Sequence, residues 1–334
     1  LLVSVECLRE SAEKALLSQD VTPASARTQV DLLIEAELRG LPSHGLQRLP
    51  RLVARLQAGL AHPAASGSGH WTRSGVLSVD GQCGLGPVVM MHVLEQLTRV
   101  VQERGIALAA IHNANHIGML AYYAEAATAR GLIAIVMTTS EALVHAYGGT
   151  EAILGTNPIA IGIPTGAEPF ILDLATSRVS MGKIHHHALT GTSIPGDWAV
   201  DAQGRRTTDP EAAKTGAIAP FGDAKGYGLG LSVELLVAAM AGSAFAPEVH
   251  GTLDATEVSN KGDVVILIDP AAGAGTTAGL ATYLDRLRTS RSADVNRPVA
   301  VPGDGMRARR AKGLATGIEL PKPLHDEICA LAAG

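Results

Sequence analysis

Gly105-Ile106-Ala107-Leu108-Ala109-Ala110-Ile111 and Gly131-Leu132-Ile133-Ala134-Ile135-Val136-Met137 are built alike, a glycine followed by an unbroken apolar run. Each glycine closes a stretch of helical character, 87–104 and 117–130, as expected of a residue that takes left-handed backbone freely at a helix end. Each then leads directly into a strand-like run, which is how short helix-to-strand connections read. Outward from this pair, residues 76–79, 159–163, 170–174 and 264–268 give further short β-like runs, and 226–241 gives another helix. The alternation predicts an α/β or α+β core.

The flanks read differently. Thr22-Pro23 looks like a cap followed by proline at the first helical position, and Val30, Leu33, Ile34 and Leu38 share one face until Gly40. Leu49, Leu52, Val53 and Leu56 repeat that spacing before Gly59, so the first ~60 residues form a helical unit with an Ala/Ser/Gly/Pro-rich exit linker at 62–69. Residues 185–222 carry Gly, Pro, Asp and Thr without clear periodicity and predict a long excursion between core elements, a kind of segment that is often functional. The stretch 290–313 is rich in Arg, and 321–332 reads as a closing helix.

Composition excludes several classes. The chain has 334 residues, 46% hydrophobic and 18% charged, with a formal net charge of −5 and mean hydropathy +0.19, so it is neither disordered nor basic enough to seek nucleic acid. With three Phe, five Tyr and two Trp, it is poor in the aromatic platforms that stack bases. Cys7, Cys83 and Cys329 are an odd number without a CxxC pair and predict buried thiols of a reduced, cytoplasmic chain. The longest apolar stretch, 229–241, contains Glu234 and is shorter than the ~20 residues of a membrane span. No secretory signal is visible at the start of the sequence.

The usual cofactor signatures are absent. Gly81-x-x-Gly84-x-Gly86 and Gly226-x-Gly228-x-Gly230 miss the GxGxxG spacing of a Rossmann turn, and there is no Walker A loop, GxSxG elbow or HExxH. Twelve histidines stand out. His112 and His116 are four apart, but Asn113 and Gly118 favour a loop over a metal-binding helix face. His185-His186-His187 reads as a solvated run, and no metal site is expected. In Ser43-His44-Gly45-Leu46-Gln47-Arg48, a His and an Arg four apart can face one cavity, one exchanging a proton and the other clamping a carboxylate; the alternative is a helix cap beside a surface arginine. Before the apolar helix at 226–241, Gly222-Asp223-Ala224-Lys225-Gly226 could bring backbone N–H groups and a cation to a phosphate, or could be a plain glycine turn.

Taken together and in order, Ser43-His44-Gly45-x-x-Arg48, Asn115-His116-x-Gly118, Gly155-Thr156-Asn157-Pro158, Asp173-Leu174-Ala175-Thr176-Ser177, Gly182-Lys183-Ile184, Ile194-Pro195 with Trp198-Ala199-Val200-Asp201, Thr208-Asp209-Pro210 and Lys225-Gly226-Tyr227-Gly228 resemble the type 2 malate/L-lactate dehydrogenase-like oxidoreductases. That family also holds ureidoglycolate, sulfolactate and 2,3-diketogulonate-type dehydrogenases and the cyclic imino acid reductases. The resemblance runs from about residue 5 to 330 and implies an NAD- or NADP-dependent enzyme with a non-Rossmann fold. It implies a helical domain from both chain ends (1–70 with 290–334), an α/β cofactor domain (71–289), and a homodimer.

By the same resemblance, Arg48 would hold the carboxylate of a small 2-oxo or 2-hydroxy acid, with Thr156 nearby. His44, supported by Ser43, would exchange the proton, with His116 as the rival for that role. His116, Ile117, Gly118, Met119, Leu120, Ser140, Asp173, Leu174, Ala175, Lys225 and Gly226 would contact the dinucleotide, and the turn Pro302-Gly303 would close over it. Arg307, Arg309 and Arg310 would either meet a 2′-phosphate or form a solvated basic turn. Lys183 marks the hydroxy-acid branch, since the imino acid reductases carry Asp there; an ammonium suits a carbonyl that gains negative charge, a carboxylate suits an iminium.

Overall fold

Local capping signals set the helix starts. In the computed structural model, which describes residues 1–273, 277–294 and 296–334, Ser4 and Thr22 accept backbone N–H bonds from Cys7 and Ser25 at the heads of α1 (Val5–Leu17) and α2 (Pro23–Leu38). The other helices are α3 (Leu49–Gln57), α4 (Gly86–Arg104), α5 (Ala121–Thr128), α6 (Met181–Leu189), α7 (Pro210–Ala213), α8 (Ala224–Ala241), α9 (Leu280–Arg288), α10 (Asp304–Thr316) and α11 (Lys322–Ala333). The strands are β1 (Leu2–Val3), β2 (Ser68–Arg73), β3 (Val76–Asp80), β4 (Ile106–His112), β5 (Ile133–Thr138), β6 (Val144–His145), β7 (Ala152–Leu154), β8 (Ile159–Ile163), β9 (Phe170–Leu174), β10 (Ala199–Val200), β11 (Ala217–Ile218), β12 (Asp263–Ile268) and β13 (Ile318–Glu319).

Seven strands form the main sheet in the order β2-β3-β4-β12-β5-β8-β9. β3 and β4 are parallel across α4, and every other neighbouring pair is antiparallel. The two quoted runs are β4 and β5, entered from Gly105 (φ +79°) and Gly131 (φ +76°). They do not pair with each other: β12 is inserted antiparallel between them, with Val265 opposite both Ala109 and Val136. A central antiparallel strand is incompatible with a doubly wound Rossmann sheet, which agrees with the missing fingerprint. One face of the sheet packs under α4 and α5 against α2, and α8 crosses β4, β12 and β5 on the other. The chain ends meet, with β1 pairing with β13, the Leu1 amino group donating to Leu320 O, and α1 packing on α11.

The structure corrects five expectations. The helix expected at 117–130 begins only at Ala121, because Asp173 takes the Ala121 N–H and the chain before it turns through left-handed Asn113 and Gly118. Residues 185–222 are no bare excursion: α6, α7, β10 and β11 join β6 and β7 around Val144, Leu154, Ile184, Ile194, Ala213 and Ile218, and His185 to His187 lie in α6, capped by Ser180. The strands there have two or three residues, too few for a period to show. β2 begins inside the supposed linker, at Ser68. Cys7 and Cys329 are exposed, since Cys7 misses the stripe of Val5, Leu8, Ala12, Ala15 and Leu16 that α1 buries. Finally, α8 reaches 18 residues and is apolar enough by length and composition to cross a membrane, yet it lies on the main sheet through Val233 and Val237, with buried Glu234 bonded to Asn157.

Candidate active site

Residues 42–48 form two 3-10 turns that meet at Gly45. The turn is locked by Glu37, whose carboxylate accepts the Leu46 N–H at 2.7 Å; a Cβ at Gly45 would lie 2.3 Å from that carboxylate. Burial raises the Glu37 pKa to about 7, partly offset by the Leu46 bond. The turn places Ser43 Oγ 3.0 Å from His44 Nδ1. Arg48 Nε donates to Ser43 O and Nη1 to Thr252 O, both at 2.8 Å. Among the described residues, no carboxylate lies within ion-pair distance of Arg48, whose pKa burial lowers to about 10, with Arg51 acting the same way and Glu141 opposing.

His116 comes from the loop after β4. Its Nδ1 accepts the Gly118 N–H at 3.1 Å, and Gly118 (φ +72°) has no room for a side chain because a Cβ would meet Leu32 Cδ2 at 2.2 Å. The His116 and His44 rings lie 5.6 Å apart, tilted by 32°. Burial lowers both basicities, with Arg48 adding to it: His44 falls to about 4 and His116 well below its ordinary value. Both imidazoles are therefore neutral at pH 7. The Gly118 bond fixes the proton of His116 on Nε2, so that atom is a donor; His44 keeps a choice of tautomer through Ser43, and its Nε2 can offer a lone pair.

Beneath the histidines, Arg48, Arg51 and Arg55 descend one side of α3 at i, i+3 and i+7 and line one cavity with Gln29, Leu32 and Asn115. Sequence reasoning missed Arg51 and Arg55, and that spacing is the signal that could have found them. Buried Arg55 donates to Asn115 Oδ1 and to the carbonyls of Asp254 and Glu257. The loop 251–257 thus wraps the arginines and is itself held by carboxylates: Glu141 takes Thr252 N, Thr252 Oγ1 and Leu253 N, and Asp254 takes the N–H groups of Gly251, Thr256 and Glu257. Neither Glu141 nor this loop carries any motif in the sequence.

The other expected residues stand at strand ends and at the heads of α5, α8 and α10. Thr156 N donates to Ser140 Oγ at 3.0 Å, their hydroxyls are 3.2 Å apart, and Thr176 N and Oγ1 both donate to Thr156 O. Thr156 therefore stands with Ser140 and does not line the arginine cavity. Asp173 accepts the N–H groups of Leu120 and Ala121 at the head of α5, and burial raises its pKa to about 6. Leu174 and Ala175 follow, partly exposed. Ile117, Met119 and Leu120 bury their side chains in the main core, so only their backbone can meet a ligand. Lys225 is exposed on the first turn of α8, where Gly226 fits against Phe221 O with 2.1 Å to a would-be Cβ. Pro302-Gly303 heads α10, and Gly303 (φ +98°) abuts Ile171 O of β9.

The basic stretch departs from the reading as a solvated turn, since its arginines have partners within the fold. Arg307 donates to Pro169 O, Arg309 donates to Arg39 O, and Arg310 pairs with Glu35, so these arginines tie α10 to the fold. Lys183 is exposed at the head of α6, its Nζ 4.7 Å from the centroid of the Trp198 ring. Neighbouring Gly182 touches the active turn: a Cβ there would stand 3.4 Å from Ser43 Cβ.

Comparison with known proteins bears on this arrangement. The profile of the malate/L-lactate dehydrogenases matches residues 3–329. The chain belongs to that family. It is 62% identical to a crystallised dehydrogenase from Sinorhizobium meliloti, with TM-score 0.97 over 99% of this chain and 98% of that one. Among curated family members, the L-sulfolactate dehydrogenase of Methanothermobacter thermautotrophicus is 33% identical over 96% of this chain and 93% of its own. The Delta(1)-pyrroline-2-carboxylate reductase 2 of Burkholderia multivorans is 34% identical over 99% of this chain and 97% of its own. Like these relatives, the chain is an oxidoreductase of the dehydrogenase class.

Proposed function

We propose that this dehydrogenase interconverts a small 2-hydroxy acid and its 2-oxo partner with NAD or NADP. The observation that carries the reading is the pair of neutral imidazoles set 5.6 Å apart above Arg48, whose guanidinium is oriented by two carbonyls and meets no carboxylate among the described residues. A half-buried arginine prepared in this way is a seat for a substrate carboxylate.

The residues fit a dinucleotide. The hydroxyls of Ser140 and Thr156, the backbone at Asp173 to Ala175, the exposed Lys225 and the turn at Pro302-Gly303 offer polar groups and one cation along a ledge beside the cavity. When bound, the nicotinamide supplies or accepts the hydride. The chain does the rest. Arg48 fixes the carboxylate and with it the position of C2. His116, with its proton held on Nε2, donates to the substrate oxygen. His44 Nε2 takes the hydroxyl proton during oxidation and returns it during reduction, with Ser43 matching the tautomer at Nδ1. Lys183, close to Ser43 through Gly182, adds positive field for the oxygen that gains charge.

A row of cations disfavours a cationic iminium, so reduction of a cyclic imine is the weaker reading. Absorbance at 340 nm with NADH and NADPH, against pyruvate, oxaloacetate, a sulfonated 2-oxo acid and a cyclic imine, tests both. Turnover of an oxo acid supports the proposal; turnover of the imine alone rejects it. A homodimer belongs to the same reading, since α8 turns Leu229, Leu235, Leu236 and Met240 outward next to exposed Phe245, an apolar stripe of a kind that marks interfaces. Light scattering that gives the monomer mass at micromolar concentration would remove this part. The three free thiols fit a reducing, cytoplasmic setting.

A further inference from the structure

We infer that Arg51 forms a second anion site, so that the substrate is a dianionic 2-oxo acid with a carboxylate or sulfonate on C3, in contrast to a monoanionic acid such as pyruvate. The inference rests on the proposed 2-oxo acid chemistry at Arg48.

Arg48, at the N-cap of α3, and Arg51 and Arg55 within it line the cavity, and among the described residues only two of the three are engaged. Arg48 is held by Ser43 O and Thr252 O, and Arg55 by Asn115 and two loop carbonyls. Arg51 is exposed at the cavity wall and, among the described residues, makes no hydrogen bond or ion pair. One helical turn separates it from Arg48, so the two guanidinium groups can meet two anions on adjacent carbons of one small molecule. Among the described residues, no carboxylate lines the cavity. The acidic groups nearby, Glu141 and Asp254, spend their oxygens on backbone N–H groups and threonine hydroxyls of the loop 251–257. The field of Arg51 reaches its surroundings all the same, lowering the basicity of Arg48, Arg55 and His116, with Glu141 opposing it at the two arginines. A cavity whose positive charge is left over after one carboxylate is seated favours a ligand with a second negative group, and a guanidinium gives that group paired, charge-assisted hydrogen bonds.

The test compares kcat/KM for oxaloacetate and 3-sulfopyruvate with that for pyruvate in the wild type, Arg51→Gln and Arg51→Lys. The wild type should favour the dianions by roughly 10- to 100-fold, the span of one charge-assisted contact. Arg51→Gln should bring the ratio to within about threefold of unity, and Arg51→Lys, a point charge without the fork, should lie between. A ratio unchanged in Arg51→Gln overturns the inference, and so does a rise in KM for NADH or NADPH that is equal for all acids, which would assign the cation to the cofactor. If no 2-oxo acid turns over, the reading of Arg48 fails separately. Thermal shifts with malate and 3-sulfolactate against lactate then decide for Arg51: stabilisation by the dianions that Arg51→Gln abolishes upholds the anion site, and equal shifts reject it.

Discussion

The arginine cavity and the ledge beside it differ in how their charges are held. In the cavity, Arg48 and Arg55 are pinned by carbonyls, the carboxylates that shape the wall are committed to backbone N–H groups, and both histidines are stripped of charge by burial. On the ledge, Lys225 stands exposed at the head of α8, and the polar atoms are hydroxyls and backbone. The contrast teaches that the chain prepays the ordering of the groups that handle the small acid, where geometry governs the rate. The longer ligand can be gripped at many points, so each of its contacts can stay loose.

The sharpest way to break this comparison is in the cavity. Replacing His44 with Ala should cost ~10² or more in rate if it moves the proton. A near-normal rate, together with a dead His116→Ala variant, would exchange the two roles. Arg48→Gln should lower kcat/KM for the acid by about 10²-fold, mostly through KM, whereas Lys225→Ala on the ledge should raise KM for the dinucleotide by only ~3- to 10-fold, as an exposed cation would. Equal effects at Arg48 and Lys225 would dissolve the distinction.

Two smaller effects concern protons. The His44 pKa is depressed to about 4, so kcat/KM for oxidation of the hydroxy acid should stay level as pH falls from 7 to 5 and drop only near 4, where the base is protonated. Arg48→Gln removes a cation and should move that acid limb upward. Glu37 has the opposite sign. Its folded pKa is raised to about 7, so the stability linked to it is present below the unfolded value near 4.5 and is lost as pH rises through about 7. Glu37→Gln should flatten the fall of Tm across that window, and an unchanged slope would show that Glu37 is not the group responsible.

Much of the fold was legible because its signals are local. The glycines before β4 and β5, the caps at Ser4 and Thr22, and the face of α2 each act within a few residues. β12 was recognisable as a strand but not as the one that fills the gap between β4 and β5, since pairing order depends on contacts more than a hundred residues apart. The small sheet of β6, β7, β10 and β11 escaped notice because strands of two or three residues show no period. In the site, Ser43, His44 and Arg48 lie within six residues, and a helical spacing can be read there; Glu141 and the loop 251–257 reach Arg48 only through the fold.

The sequence by itself determined which residue types are available: the histidines and arginines, the glycines that let backbone approach Leu32, Glu37 and Phe221, and the apolar runs that must be buried. Tertiary structure alone decided their charge and use. An imidazole has an ordinary pKa until it is buried beside Arg48, and an arginine is a surface cation until a distant loop pins it, as happens to Arg48 and Arg55. Desolvation and Coulomb fields depend on distances in space, which are set by packing between segments that are remote in the chain.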